Sequence, residues 1–334
     1  MAQPELLYLD GAAVDAAMPD VAARIELAER TMLALIEDAD LPPKIGVDAR
    51  PTGSFGHAMP AFLRGPASDG STDLMGVKWV VGFPANSGRG LPTIHATVIL
   101  SDALTGLPIA MLDGAPITAD RTAAISGVAI RYWGPTTRGA IPQGARVAIL
   151  GAGVQARSHV PVIGHLLPGA SVVVHDRHPE RAEAVAEIAR NTPGIATAKT
   201  ASNTHDATID ADVVVTAVSF GPIRQTLGKA DLAPNALVIA VDYATSVHHA
   251  VAREAGLFLV DEPGQFLAQR AAGQFDDYPE PGSTIGLAIR DRITRPATGR
   301  VLVSHLGVGL ADLVFADVIV RNATTAGLGI KLPR

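Results

Sequence analysis

The chain has 334 residues and a formal net charge of −6, and its Lys and Arg residues are scattered along it. It therefore lacks the basic surface that binds nucleic acid or an anionic membrane. Its apolar residues, 48% of the total, are enough for two domains, which is the number that this length favours. The lack of cysteine excludes disulfides, thiolate metal ligands and thiol nucleophiles.

The beginning of the chain, residues 1–9, has neither the basic segment nor the apolar segment of a secretory signal. No later apolar run approaches the roughly 20 residues that span a bilayer. We therefore expect a soluble, cytoplasmic protein.

The first part of the chain predicts two helices with a sheet between them. Apolar residues at near-helical spacing indicate an amphipathic helix over residues 21–36. Short β-rich runs between residues 42 and 113 indicate a mostly antiparallel sheet. Its strands are expected at residues 75–81, 93–100 and 107–112. A helix is then predicted over residues 118–133, with Asp120, Arg121 and Thr122 in its first turn.

The second part of the chain alternates strands and helices. Strands are expected at residues 146–150, 171–175, 212–217 and 237–241, and helices at residues 154–167, 179–190 and 309–327. Such alternation is typical of a parallel, doubly wound sheet. The predicted fold class is therefore α/β.

One of these strands runs directly into the pattern G-x-G-x-x-A at Gly151, Gly153 and Ala156. In a dinucleotide-binding turn the first glycine permits the tight bend and the second lets the backbone approach the pyrophosphate. The small third residue lets the helix pack on the sheet, and the N-terminus of that helix offers N–H groups to the phosphates. The alternative is a glycine-rich turn that binds no dinucleotide.

Asp176 follows the next strand, twenty residues after Ala156. A carboxylate at this place can accept hydrogen bonds from the adenosine ribose hydroxyls, which favours NAD. Arg177 and His178 come directly after it, and a cation there could instead hold the 2′-phosphate of NADP. NAD is the expected cofactor, with NADP as the alternative.

A series of short segments accompanies this fingerprint in a fixed order. They are Pro42-Pro43-Lys44, His57-Ala58-Met59-Pro60-Ala61, Gly76-Val77-Lys78, Gly82-Phe83-Pro84-Ala85-Asn86, Gly90-Leu91-Pro92-Thr93, Asp102 with Thr105-Gly106, Asp113-Gly114, and Thr118-Ala119-Asp120-Arg121-Thr122-Ala123-Ala124. Together with Gly151 and Asp242, this ordered set resembles the ornithine cyclodeaminase/μ-crystallin family over nearly the whole chain.

The resemblance implies a Rossmann domain over residues 131–305. It also implies an α+β domain for substrate binding and dimerisation, made of residues 1–130 and completed by residues 306–334. Members of the family are typically homodimers and share hydride transfer between nicotinamide and the carbon that bears an amino or imino nitrogen. The implied partners are a small imino, amino or keto acid and a second copy of the chain.

The resemblance also implies roles for individual residues. Substrate contacts are expected from Lys44, His57, Met59, Lys78 and Arg121, and catalysis from Lys78 and Asp242. The dinucleotide is expected to contact Thr93, Thr122, Gly151, Ala152, Gly153, Val154, Gln155, Asp176, Arg177, Ala217, Val218, Ser219 and His305.

The three cations differ in their sequence settings. Lys78 lies among apolar residues of a predicted strand, so its charge requires an anionic partner; the alternative is an edge-strand lysine whose ammonium reaches solvent. Arg121, near a helix N-terminus, could bind a carboxylate bidentately; the alternative is a surface ion pair with Asp120. Lys44 stands where other members carry arginine, so its hold on a carboxylate is expected to be looser.

Asp242 follows a predicted strand, at the end where open α/β sheets bind ligands. The resemblance implies that it polarises a water molecule or relays a proton to the substrate nitrogen. The alternative is that Asp242 caps the turn before Thr245 and Ser246.

Two residues depart from the cyclodeaminase pattern. His57 replaces a glutamate suited to the distal ammonium of the substrate, and Ser246 replaces a lysine. The alternative to a substrate contact for His57 is a loop histidine bonded to the backbone. We therefore favour an imine reductase or amino-acid dehydrogenase, with a cyclodeaminase and a μ-crystallin-like binding protein as alternatives. The ten histidines are dispersed and no serine lies in a G-x-S-x-G elbow, so we expect neither a metal site nor a hydrolase triad.

Overall fold

The computed structural model describes residues 5–135, 144–219 and 224–333, and the chain divides into two compact units. Unit 1 comprises Met1–Arg121 and Gly307–Arg334, and unit 2 comprises Thr122–Leu306. The predicted domains also contain residues 1–4, 136–143, 220–223 and 334, which lie outside the described residues.

Strands and helices alternate along most of the chain. In order they are β1 (Glu5–Leu9), α1 (Gly11–Ala17), α2 (Val21–Ala34), β2 (Ala39–Asp40), β3 (Ile45–Ala49), β4 (Ser54–Leu63), β5 (Leu74–Gly82), β6 (Ile94–Ser101), β7 (Pro108–Asp113), α3 (Gly114–Trp133), β8 (Arg146–Leu150), α4 (Val154–Leu166), β9 (Ala170–His175), α5 (Pro179–Arg190), β10 (Ile195–Thr200), α6 (Thr204–Thr208), β11 (Val213–Thr216), β12 (Leu237–Ala240), α7 (His249–Arg253), β13 (Leu257–Val260), α8 (Pro263–Ala271), β14 (Ser283–Thr284), α9 (Ile285–Arg290), β15 (Val301–Ser304), α10 (Gly309–Ala326) and β16 (Ile330–Pro333). Short 3₁₀ helices lie at Pro84–Arg89 and Lys229–Asp231. No helix in the described ranges is both long and apolar enough to cross a lipid bilayer.

The sheet of unit 1 has the strand order β16-β1-β7-β6-β5-β4-β2, and β3 also pairs with β4. Strands β1 and β7 are parallel, whereas the other neighbours are antiparallel, so the prediction of a mostly antiparallel sheet is confirmed. Helix α10 packs on β4, β5 and β6. Met59, Lys78 and Val98 form one cross-strand row, and all three are buried.

The opposite face of this sheet exposes apolar side chains. Ile45 and Val47 of β3 are 58% and 55% exposed, and Trp79 of β5 is 43% exposed. Ala58 of β4 pairs with both Ile45 and Trp79, which places these residues on the same face. We call the surface formed by Ile45, Val47 and Trp79 the outer apolar face.

The sheet of unit 2 is parallel throughout and has the strand order β10-β9-β8-β11-β12-β15-β13-β14. This order confirms the predicted doubly wound α/β fold. The strand order reverses its direction at β8, and ligands of such sheets bind beyond the carboxyl ends of the strands at that place. Gly151, Ala217, Asp242 and His305 follow β8, β11, β12 and β15 at this edge.

Helix α3 begins at Gly114, four residues before its predicted start, so the placement of Arg121 in a first turn was wrong. The oxygen Oδ1 of Asp113 accepts a hydrogen bond of 2.9 Å from the backbone N–H of Ala115. Pro116 is tolerated in the first turn because its missing N–H would have no partner within the helix there. Arg121 therefore lies too far along α3 for its N-terminus to act on the guanidinium.

Candidate functional site

Two buried cations of unit 1 share one buried carboxylate. Lys78 Nζ lies 2.9 Å from Asp312 Oδ1, and Arg121 Nε lies 3.1 Å from the same oxygen. Lys78 is 1% exposed on β5, which lies between β4 and β6, so an edge-strand lysine that reaches solvent is excluded. Arg121 is buried and pairs with Asp312, whereas Asp120 pairs with Arg24 at 2.6 Å, so the predicted alternative of a surface ion pair between Arg121 and Asp120 is excluded.

The charges of this Lys78–Arg121–Asp312 cluster act on one another. Burial lowers the pKa of Lys78 to about 8, although Asp312 raises it; Arg121 and Lys44 lower it further. Burial alone would raise the pKa of Asp312, but Arg121 and Lys78 hold it below its usual value. The oxygen Oδ2 of Asp312 is buried and has no hydrogen-bond partner among the described residues.

Gly307 leaves room for the guanidinium of Arg121. The residue has a φ of +83°, and a Cβ there would lie 2.6 Å from Arg121 Nη1 and 2.7 Å from Nη2. The left-handed backbone therefore favours glycine at this position, and a Cβ there would force the guanidinium to move.

Of the other predicted substrate residues, His57 and Met59 lie in β4 and Lys44 directly precedes β3, so the alternative that His57 lies in a loop is wrong. His57 stacks on Phe55, with ring centroids 4.7 Å apart. Burial and the charge of Lys44 lower the pKa of His57, and Asp48 raises it. Lys44 thus acts on both His57 and Lys78, and Met59 lies beside Lys78 in the cross-strand row. The surroundings of His57 disfavour a cation.

The turn after β8 fits a dinucleotide. Gly151 has a φ of +94°, and a Cβ there would lie 2.4 Å from the carbonyl oxygen of Ala217. Gly153 is the N-cap of α4, without a side-chain cap, and a Cβ there would have no heavy atom within 4 Å. The N-terminus of α4 therefore faces open space, as phosphate binding requires. Ala156 is fully buried where α4 packs on the sheet.

Asp176 is held beside this turn by two backbone N–H groups. Ala152 donates to its Oδ2 at 2.9 Å and His178 donates to its Oδ1 at 2.8 Å. Arg177 is exposed, and its Nε donates to His178 Nε2 at 3.2 Å. The carboxylate is therefore fixed at the carboxyl end of β9, beside the glycine turn.

Asp242 is buried in a group of hydrogen-bond donors. Its Oδ1 accepts from Thr216 Oγ1 at 2.8 Å, and its Oδ2 accepts from Ser246 Oγ at 2.7 Å and from the backbone N–H of Val218 at 3.2 Å. Burial raises the pKa of Asp242, although these hydrogen bonds lower it. The carboxyl group can therefore hold a proton at a higher pH than an ordinary aspartate.

The remaining predicted cofactor residues are distributed over both units. Those of unit 2 include the exposed Val154 and the partly buried Gln155 at the start of α4, Ala217, Val218 and Ser219 after β11, the buried Thr122 of α3 and the buried His305 after β15. Thr93 belongs to unit 1, is exposed, and accepts a backbone hydrogen bond of 2.8 Å from Phe83 through its carbonyl. In the described part of the chain, no three His, Asp or Glu side chains are grouped as metal ligands.

Sequence reasoning missed two sets of buried polar residues. The first is Asp312 alone, which the sequence could have indicated because it is the single acidic residue within the apolar run of residues 308–316. The second set is Ser126 and His159, which the structure joins to His305. No local pattern distinguishes them from ordinary helix residues.

The residue pattern and the fold agree with known proteins. The model of the ornithine cyclodeaminase/mu-crystallin family matches residues 17–253. The chain is 29% identical over 295 residues to the nodulation efficiency protein NfeD of Rhizobium meliloti, covering 86% of each chain. It is 31% identical over 270 residues to the L-lysine cyclodeaminase of Streptomyces rapamycinicus, covering 77% of this chain and 74% of that protein.

A solved structure shares the fold over almost its full length. It is the Δ1-pyrroline-2-carboxylate reductase of Thermococcus litoralis in complex with NADH and L-proline, with a TM-score of 0.83 and 23% identity. The similarity covers 98% of this chain and 100% of that one. Because the family model matches well over half of its residues, this protein belongs to the ornithine cyclodeaminase/mu-crystallin family.

Proposed function

We propose that this protein is an NAD(H)-dependent oxidoreductase that reduces a small 2-imino acid, such as a cyclic ketimine, to the 2-amino acid. The charge balance of the Lys78–Arg121–Asp312 cluster carries this proposal. Two buried cations share one carboxylate, and an uncompensated buried charge is costly. A substrate carboxylate would bring the missing negative charge. It would also raise the pKa of Lys78 above about 8 and keep the ammonium charged.

We assign proton transfer to Asp242. An imine nitrogen needs a proton when it becomes an amine, and the raised pKa of Asp242 lets its carboxyl group hold one. Ser246 and Thr216 orient that carboxyl group through their hydroxyls. NADH, when bound, supplies the hydride, and Gly151, Gly153 and Asp176 are the residues that would hold its pyrophosphate and adenosine ribose.

The setting of His57 favours a reductase over a cyclodeaminase. A cyclodeaminase must hold the distal ammonium of its substrate, whereas burial and Lys44 lower the pKa of His57. Surroundings that disfavour an imidazolium also disfavour a substrate ammonium. We therefore propose a substrate whose side chain carries no positive charge.

The test is NADH oxidation with a cyclic ketimine that bears a carboxylate. We expect one NADH to be consumed for each amine formed, and at least about tenfold lower kcat/KM for the same ring without its carboxylate. Ornithine with catalytic NAD⁺ should release no ammonia. Ammonia release without a net change in NADH would identify a cyclodeaminase instead, and NADH binding without turnover of any imine would identify a binding protein.

We also propose that the protein is a homodimer that pairs through the outer apolar face. Its side chains Ile45, Val47 and Trp79 are each more than 40% exposed on one face of the sheet. Contiguous apolar patches of this kind mark association surfaces on soluble proteins. A second copy of the chain would bury them in a two-fold interface.

A further inference from the structure

Three buried side chains of unit 2, Ser126, His159 and His305, are linked in series by hydrogen bonds. The Nδ1 atom of His159 lies 2.6 Å from the carbonyl oxygen of Gln155, and its Nε2 lies 2.7 Å from Ser126 Oγ. The same Ser126 oxygen lies 2.9 Å from Nε2 of His305. Ser126 and His159 are fully buried and His305 is 1% exposed, so bulk water does not compete for these bonds.

The hydrogen bond between His159 and the Gln155 carbonyl fixes the direction of the other hydrogen bonds in this series. A carbonyl oxygen can only accept, so Nδ1 of His159 must carry a hydrogen. Burial lowers the pKa of His159 to about 4, which leaves the ring neutral near pH 7 and its Nε2 an acceptor. Ser126 therefore donates to His159. The oxygen of Ser126 in turn accepts from an N–H at Nε2 of His305.

The directions of these hydrogen bonds exclude proton transport along the series from His305 to Gln155. A proton that arrived at His159 would stop at Gln155, whose carbonyl oxygen takes no proton at neutral pH. The hydrogen bonds therefore select one tautomer of His305. A neutral His305 with its hydrogen on Nε2 has an unprotonated Nδ1, which is a hydrogen-bond acceptor.

The position of His305 in the sheet indicates which part of a dinucleotide it meets. Asp176 follows β9 and Gly151 follows β8, whereas His305 follows β15, on the other side of β8. Three strand spacings separate β8 from β15, which is roughly 14 Å. A dinucleotide with its adenosine ribose at Asp176 and its pyrophosphate at Gly151 extends its nicotinamide half in that direction.

We propose that Ser126 and His159 are positioning residues that hold His305 in the tautomer protonated on Nε2, so that its Nδ1 accepts a hydrogen bond from the nicotinamide half of the cofactor. The donor is an N–H or O–H of the nicotinamide ribose or carboxamide. This inference rests on the proposed NAD(H) function, and it adds to that function a way in which the protein prepares the acceptor before the cofactor binds.

The first test measures the tautomer in the cofactor-free protein, from the ¹⁵N chemical shifts of the histidine ring nitrogens. We expect His305 to be protonated on Nε2 alone, and His159 on Nδ1 alone. Ser126→Ala should remove the preference of His305 for one tautomer, and Ser126→Thr, which keeps the hydroxyl, should retain it. A wild-type His305 protonated on Nδ1 alone would overturn the proposal.

The second test measures NADH dissociation constants by fluorescence titration. We expect Ser126→Ala and His305→Gln to weaken binding about tenfold, and Ser126→Thr to bind like wild type. His205→Gln is the matched control, because His205 is an exposed histidine of the same unit that pairs with Asp231. If Ser126→Ala and His305→Gln both bind NADH as tightly as wild type, this inference is overturned and the proposed function stands. A wild-type protein that binds no NADH would overturn both.

Discussion

Asp312 holds two cations that precede it by 234 and 191 residues in the sequence. Its charge raises the pKa of Lys78. Asp312→Asn should therefore lower that pKa below about 8, and Lys78 should lose its proton at a lower pH than in wild type. Because only the protonated lysine binds a carboxylate well, we expect the alkaline limb of kcat/KM to move to lower pH and activity at pH 8 to fall about tenfold.

The pH profile of kcat/KM with a carboxylated ketimine measures this change. Asp317→Asn is the matched control, since Asp317 lies on the same helix and pairs with Arg321 at the surface at 2.6 Å. Its profile should equal that of wild type. A wild-type profile in Asp312→Asn would mean that the Asp312 charge does not control the protonation of Lys78.

Single residues of the cluster were predictable to different degrees. The apolar neighbours of Lys78 predicted that its ammonium needs an anionic partner, and the structure supplies one inside the protein. The identity of that partner was not predictable, because the contact with Asp312 joins distant parts of the chain and leaves no local spacing to recognise. The roles of Lys44, His57 and Asp242 stay predictions.

Among the elements, the bounds of β8 and α5 equal those predicted from apolar periodicity and turn residues. Strands β13 and β15 and helices α8 and α9 were not predicted. These strands have only four residues each and are almost entirely buried, so they lack the alternation that reveals a half-exposed strand, although β11 and β12, which are as short and as buried, were predicted. The predicted start of α3 came too late, because Pro116 does not break this helix and is instead a residue of its first turn.

The loop after β9 leads to a prediction about cofactor choice. Asp176→Asn keeps an oxygen that can accept from Ala152 but removes the charge that repels a 2′-phosphate. We expect NADH to bind about tenfold more weakly and NADPH to bind more tightly, so the preference for NADH narrows. Fluorescence titration of both cofactors measures the ratio.

Asp212→Asn is the control for this loop. Asp212 accepts a backbone hydrogen bond of 2.8 Å from Arg146 at the amino end of β8, away from the glycine turn. The ratio of NADH to NADPH affinity should be unchanged in this variant. If the ratio also stays unchanged in Asp176→Asn, then Asp176 does not select the cofactor.

For the whole molecule, the outer apolar face predicts the oligomeric state. We expect the wild-type protein to sediment as a dimer and Val47→Glu to sediment as a monomer. In a two-fold interface the substitution would place one glutamate charge from each copy among apolar side chains. Leu267→Glu is the control, since Leu267 is 42% exposed on α8 of unit 2. A monomeric wild type, or a dimeric Val47→Glu, would contradict the proposed interface.

The pairing of Lys78 with Asp312 also bears on the order in which the protein forms during translation. Ribosomes add about 5–20 residues per second, so the 234 residues between the partners take on the order of ten seconds to a minute to synthesise. Throughout that time β5 exists without α10, so Lys78 lacks the carboxylate of Asp312 as its partner. Unit 2 ends at Leu306, and only Gly307 and Val308 separate it from the start of α10. The cation cluster therefore cannot form until α10, which supplies Asp312, has been synthesised.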